Sequence, residues 1–220
     1  MKVLYVGSGM SALQAKDEIY NDHVKVCLNN AWRIYEGGSF DYWIHPDDFS
    51  RENYPQNAHF KTEIRHKEYS WVLHQMAERI GLKGLSGFAL EKEIGYTAFF
   101  QGLYWIMGSL APDKIGLLGF DHDYNPEKTK KWYGAGMPHI HNKYNNKTEK
   151  TVRAWADAFF DGCEPDAFYG YGTPDPLRYG AAYIERKMRM AVDSATALGI
   201  TITNYSRRES PFDVFERSEP

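Results

Sequence analysis

The chain has 220 residues, with 26 Lys and Arg against 29 Asp and Glu and a formal net charge of −3. With 43% hydrophobic and 25% charged residues it falls in the globular class, away from disordered compositions, and its whole surface is not a polyanion trap. No apolar run approaches the ~18 residues that would span a bilayer. The start of the chain is too short and too soon broken by glycine to read as a signal peptide, so a cytoplasmic location is expected.

Cys27 and Cys163 show no CxxC spacing and read as structural thiols rather than zinc ligands or a disulfide framework. No Pro/Gly/Ser-rich or single-charge stretch looks like a linker, so residues 1–220 are expected to form one domain.

In chain order, Lys2–Val6 is a short apolar run stopped by glycine and predicts a buried strand. Ser11 is a plausible N-cap for a helix reaching about Tyr20. Val24–Leu28 and Phe40–His45 predict two further strands, and the alternation argues for βαβ units. From about Lys67 to Ile80 the apolar residues Tyr69, Val72, Leu73, Met76 and Ile80 share one helical face. Thr97–Leu110 is apolar nearly all round, the pattern of a buried helix. Lys114–Phe120 predicts a central strand ending in Asp121-His122-Asp123.

A functional loop is expected over about 122–147, because long irregular segments in compact domains tend to carry function. Val152, Trp155, Ala156 and Phe159 mark a helix, and 145–175 reads as an insertion. Ile184, Met188, Ala191, Val192, Ala195 and Leu198 line another helix closed by Gly199. Ile200–Asn204 is the last strand expected, followed by a polar tail. The sum is an α/β, Rossmann-like three-layer fold: a mostly parallel central sheet with helices on both faces.

The chemistry is expected at the carboxyl ends of the strands, where parallel sheets bind ligands. Gly7-Ser8-Gly9-Met10-Ser11 is a glycine-rich turn from strand to helix, a place where backbone N–H groups can face a phosphate. It is neither a complete GxGxxG nor a P-loop. Asn29-Asn30 ends the second strand and His45-Pro46-Asp47-Asp48 the third. Asp121 and Asp123 share one side of an extended segment and could hold Mg²⁺ or Mn²⁺. His139 and His141 are candidates for a general base, since imidazole titrates near neutrality.

Taken together, GSGMS after the first strand, Asn29 after the second, His45-Pro46 after the third, Gly95-Tyr96-Thr97 at a helix start, Leu118-Gly119-Phe120-Asp121, a histidine-bearing loop and a final Ile-Thr-Ile-Thr-Asn-Tyr-Ser form a familiar series. The chain resembles the bacterial sialyltransferases of single-domain, GT-A-like fold and their small glycosyltransferase relatives. The resemblance implies nucleotide contacts at Gly7, Ser8, Gly9, Ser11, Asn29, Asn30, His45, Tyr96 and Thr97. It also implies a sugar pocket organised by Asp121, and His141 or His139 as a base working without a required metal or cofactor. The family usually has asparagine where this chain has His45, and a Thr/Ser-Ser/Gly pair where it has Tyr96-Thr97.

The expectation is therefore transfer of a sugar from a nucleotide-sugar donor to an acceptor hydroxyl. The acceptor is either a glycan or, as in viral DNA-modifying relatives, a hydroxymethylated base. The basic clusters Lys128–Lys131 and Arg186–Arg189 permit the DNA version. Two rival readings are a non-catalytic nucleotide-sugar sensor and a metal-dependent nucleotide hydrolase or pyrophosphorylase built on Asp121 and Asp123.

Overall fold

The computed structural model describes residues 1–47, 49, 51, 54–95, 97–121, 181–208, 210 and 213–220. Seven strands form one sheet in the order β4-β3-β2-β1-β5-β6-β7: β1 Lys2–Val6, β2 Val24–Leu28, β3 Ser39–Ile44, β4 His59–Ile64, β5 Lys114–Leu118, β6 Thr201–Asn204 and β7 Glu216–Arg217. Every pairing is parallel. The chain steps outward from β1 to β4, then returns to place β5 on the other side of β1. The direction of winding thus reverses between β1 and β5, the arrangement of a doubly wound fold.

The central strands are apolar on both faces because both are covered. Val3, Tyr5, Val26 and Ile115 point into one core and Leu4, Val6, Cys27 and Trp43 into the other. The first core is roofed by α1 His66–Met76, α2 Gly87–Ile94, α3 Ala98–Trp105 and α4 Ala181–Ala197. The second face differs from expectation. The segment read as a helix from Ser11 to Tyr20 is two 3₁₀ pieces, Met10–Lys16 and Glu18–Tyr20, and a third 3₁₀ piece covers Asn29–Tyr35. Gly9, not Ser11, is the N-cap of the first piece. Aromatic side chains fill this layer: Trp43 packs edge-on against Tyr54 at 4.7 Å and tilted against Phe60 at 5.7 Å.

Three of the numbered strands and helices escaped the sequence reading. Strand β4 alternates weakly and is half exposed at the sheet edge, and α2 is only 8 residues long. The polar tail returns as the short edge strand β7.

The long buried helix ends as expected at Leu110, but its last five residues, Ile106–Leu110, are π-helical. Helix α4 lies where its periodicity put it and is closed by Gly199 at φ 72°. It docks on α2 through Lys187, which is 1% exposed. The Lys187 ammonium donates to the Glu93 carbonyl and to its carboxylate at 3.2 Å. Among the described residues no helix is long and apolar enough to cross a membrane.

Candidate functional site

Strands β1 and β5 end against each other without a gap. The Gly7 amide donates to the Leu118 carbonyl at 2.8 Å and the Gly9 amide to the Gly119 carbonyl at 2.9 Å. A Cβ on Gly7 would stand 2.4 Å from the Gly119 carbonyl oxygen, and one on Gly119, whose φ is +74°, would stand 2.2 Å from the Gly7 carbonyl oxygen. The first glycine is therefore required by backbone packing.

The second glycine admits a carboxylate, since a Cβ on Gly9 would lie 2.9 Å from Asp121 Oδ2. Asp121 is 1% exposed. Its Oδ2 accepts the Ser11 amide at 2.8 Å and its Oδ1 the Ser206 hydroxyl at 2.9 Å. The Ser11 hydroxyl in turn accepts the Gly119 amide at 2.7 Å. The anion at this glycine turn is thus one of the protein's own side chains, and both oxygens of Asp121 have work within the fold.

Helix α3 must start at the carboxyl edge of the sheet, because it leads to β5, which begins at the amino edge. Its first turn sits beside the end of β5, with the Phe99 ring 4.6 Å from that of Phe120. Tyr5 pins this turn to β1, its hydroxyl donating toward the Ala98 and Phe99 carbonyls at 3.3 and 3.2 Å. Burial first, and neighbouring Tyr69 second, push the Tyr5 phenol well above its ordinary pKa. Gly95 precedes the helix at φ +129°, and a Cβ there would lie 2.2 Å from the Phe100 ring.

The N-cap of α3 is Thr97, which makes no side-chain cap hydrogen bond. Thr97 is 4% exposed, and its hydroxyl is buried without a partner. A buried hydroxyl left unpaired costs about 1–3 kcal/mol, and most such groups have a partner in a native fold.

Across the same edge, Asn29 leaves β2 with φ 50° and its carbonyl receives the Trp43 indole N–H at 2.8 Å. The side-chain oxygens of Asn29 and Asn30 are buried and unpartnered too. Among the described residues, three unpartnered side-chain oxygens thus lie on the carboxyl edge, two in the turn after β2 and one at the start of α3.

His45 has a different situation. It is 1% exposed, its ring stacks on Trp43 at 4.1 Å, and each nitrogen faces an acceptor: Pro46 O at 2.9 Å and Glu63 Oε1 at 2.8 Å. It ties β3 to β4. Arg65 first, then His45, hold the Glu63 carboxyl below its ordinary value against the opposing effect of burial.

Tyr96, Asp123, His139 and His141 lie outside the described residues, as do the expected loop, the insertion, the helix over 152–159, Cys163 and Lys128–Lys131. Among the described residues no group of three or more His, Cys, Asp and Glu could hold a metal ion. The other basic cluster is not an open patch. Lys187 is buried on Glu93, Arg189 pairs with Glu185 at 2.6 Å, and Arg186 lies over the Tyr183 ring.

Sequence reasoning missed one pair at this edge. His66 opens α1, and its Nε2 lies 2.9 Å from Oε1 of Glu91 in the last turn of α2. No motif announces the two, which are brought together only by the packing of α1 on α2.

At the opposite, amino edge a groove of ≈ 430 Å³ is lined by His23, Lys25, Asp41, His59 and Lys61 among others. Its Asp41 accepts the Lys25 amide at 2.8 Å and the Lys61 ammonium, and its His23 has a buried Nε2 without a partner. The carboxyl edge, with three unpartnered side-chain oxygens at the end of a strand and the start of a helix, is the better candidate.

The class this architecture defines is an all-parallel α/β protein of Rossmann-like type. Comparison with protein-family models, with curated proteins and with solved structures found no match to this chain.

Proposed function

We propose that the protein binds a nucleotide sugar at the carboxyl edge of its sheet and transfers the sugar to an acceptor hydroxyl. The observation that carries this reading is Thr97, a buried hydroxyl without a partner at the uncapped N-terminus of α3. The helix start offers amide donors and the positive end of a helix dipole to an anion. A phosphate there would give the Thr97 hydroxyl its acceptor.

Asn29 and Asn30 supply unsatisfied acceptors to the N–H and O–H groups of the nucleoside. The glycine turn, stitched to Gly119 and Asp121, forms a fixed wall. Stabilising charge on the departing phosphate is the largest contribution such a site makes. A loop histidine, His141 or His139, takes the proton of the acceptor hydroxyl in this scheme.

A small or glycan acceptor fits better than DNA. The Arg186–Arg189 cluster is engaged within the fold, and DNA binding would have to draw its positive charge from Lys128–Lys131. The test is donor turnover against a panel of nucleotide sugars, with and without chelator. Metal-independent transfer supports the scheme. Loss of all activity with chelator points instead to hydrolase chemistry at Asp121 and Asp123, and nucleotide binding with no turnover to a sensor.

A further inference from the structure

We propose that His66, held by Glu91, is the proton donor to the phosphate that leaves when the sugar is transferred, an inference that rests on the nucleotide-sugar reading of the same edge. Glu91 is 6% exposed, and as a carboxylate it only accepts. The 2.9 Å contact therefore assigns a proton to Nε2 and fixes the ring.

Nδ1 is the nitrogen left for chemistry. Among the described residues the charge facing it is Asp47, whose carboxylate lies 3.9 Å away, beyond hydrogen-bonding reach. The ring is 41% exposed, so solvent can return a spent proton. A histidine with one nitrogen on a buried carboxylate and the other open to an exposed edge has the arrangement of a proton-transfer group and its orienting partner.

Position links this pair to the phosphate seat. Helix α1 follows β4 directly, so His66 stands at the carboxyl edge, and α1 packs beside α3 with their N-termini at that same edge. The Tyr69 ring lies 5.2 Å from the His66 ring, edge-on. Tyr69 also neighbours Tyr5, whose hydroxyl reaches the Ala98 and Phe99 carbonyls in the first turn of α3. Of the charged residues next to His66 along α1, Lys67 and Glu68 pair with each other at 3.7 Å. Arg65, just before His66, pairs with Glu63 at 2.8 Å. Among the described residues Glu91 and Asp47 are the charged groups paired with the ring, and Tyr69 is a titratable neighbour.

In the step, the acceptor oxygen bonds to the sugar's anomeric carbon as the bond from that carbon to the phosphate oxygen breaks. His66 enters the step as the imidazolium, protonated on both nitrogens. The electron pair goes to the phosphate oxygen, which takes the Nδ1 proton and leaves a neutral ring. The Nε2 proton stays on Glu91's hydrogen bond. The acceptor's own proton goes to the loop histidine that the proposed function assigns as base.

The test uses the full chain labelled with ¹⁵N in its histidines, titrated with CMP, CDP, UDP and GDP while melting temperature is followed in parallel. His66→Gln assigns the His66 signals. The expected result is that the nucleotide that raises the melting temperature also moves the His66 Nδ1 signal. His66→Gln should still bind that nucleotide but turn its sugar over about 10²–10⁴-fold more slowly. Glu91→Gln keeps an acceptor on Nε2 and should lose less.

If the nucleotide binds and Nδ1 does not move, or His66→Gln keeps wild-type turnover, the pair is a structural tie and the inference fails while the nucleotide reading stands. If no nucleotide raises the melting temperature, both fail together.

Discussion

The Asp121 carboxylate and the Ser11 amide meet at 2.8 Å, and this bond closes the turn that sequence alone would offer to phosphate. A second bond from Ser206 leaves the carboxylate 1% exposed. Hydrogen bonds to charged groups contribute about 1.5–3 kcal/mol each. Asp121→Ala is expected to lower stability by about 3 kcal/mol or more, read by urea denaturation. Asp121→Asn, which keeps an acceptor for the Ser11 amide and can donate to the Ser206 hydroxyl, should cost clearly less. Equal losses in the two variants would contradict the clamp.

Gly116 carries a second demand for close packing. A Cβ there would lie 1.8 Å from Cε2 of Tyr205, a ring that also stacks on Tyr20 at 5.8 Å. Gly116→Ala forces that ring to move, and overpacking of this kind costs about 1–3 kcal/mol. Adding Tyr205→Leu to Gly116→Ala should recover part of the loss in melting temperature, and no recovery would place the strain elsewhere.

Thr97→Val separates stability from binding. Valine keeps the shape and removes a buried hydroxyl that has no partner, so the ligand-free protein should melt at the same temperature or higher. Nucleotide affinity should fall about 10-fold or more, the equivalent of one hydrogen bond to a charged group. A ligand-free protein clearly destabilised by the change would mean that the hydroxyl serves the fold.

His23 sets an acid limb. Its residue is 4% exposed and its Nε2 is buried without a partner. Burial lowers its pKa, against the raising effect of the hydrogen bond to Asp22 at 2.7 Å, while Lys2 and Lys114 lower it further. A folded value below the unfolded one, about 6.5, means that the unfolded chain binds more protons in the window between them. Stability is then fully present above the unfolded value and is lost as pH falls through the folded value. Melting temperature measured from pH 7.5 downward should drop less in His23→Gln than in wild type, and parallel curves would remove His23 as the cause.

Much of the frame could be read from the residues. Lys2–Val6, Val24–Leu28 and Lys114–Leu118 are runs buried on both faces, and apolar continuity followed by a break is a strong local signal. Strand β4 gave no such signal because His59, Lys61 and Thr62 leave it half exposed at the edge. The segment after Gly9 misled for a different reason. Its spacing suits a helix, but the Asp121 carboxylate and the tight approach to β5 fix a short 3₁₀ turn there.

At the site, Asn29, Asn30 and Thr97 were expected from their places after β2 and at a helix start, and all three have unsatisfied side-chain atoms. His45 reads as a ligand contact in sequence, yet a partner 18 positions away, Glu63, takes one of its nitrogens. The His66–Glu91 pair was invisible for the same reason, since the two are 25 positions apart and meet only through helix packing.

The most direct measurement is a thermal-shift panel with CMP, CDP, UDP and GDP, each with and without Mg²⁺, on wild type and Thr97→Val. A ligand at ~100 times its Kd adds about 2.7 kcal/mol of stability, roughly 5–10 °C for a chain of this size. The account predicts a metal-independent rise with at least one nucleotide in wild type and a smaller rise in Thr97→Val at the same concentration. No rise with any nucleotide, or equal rises in both proteins, would contradict a phosphate seat at the start of α3.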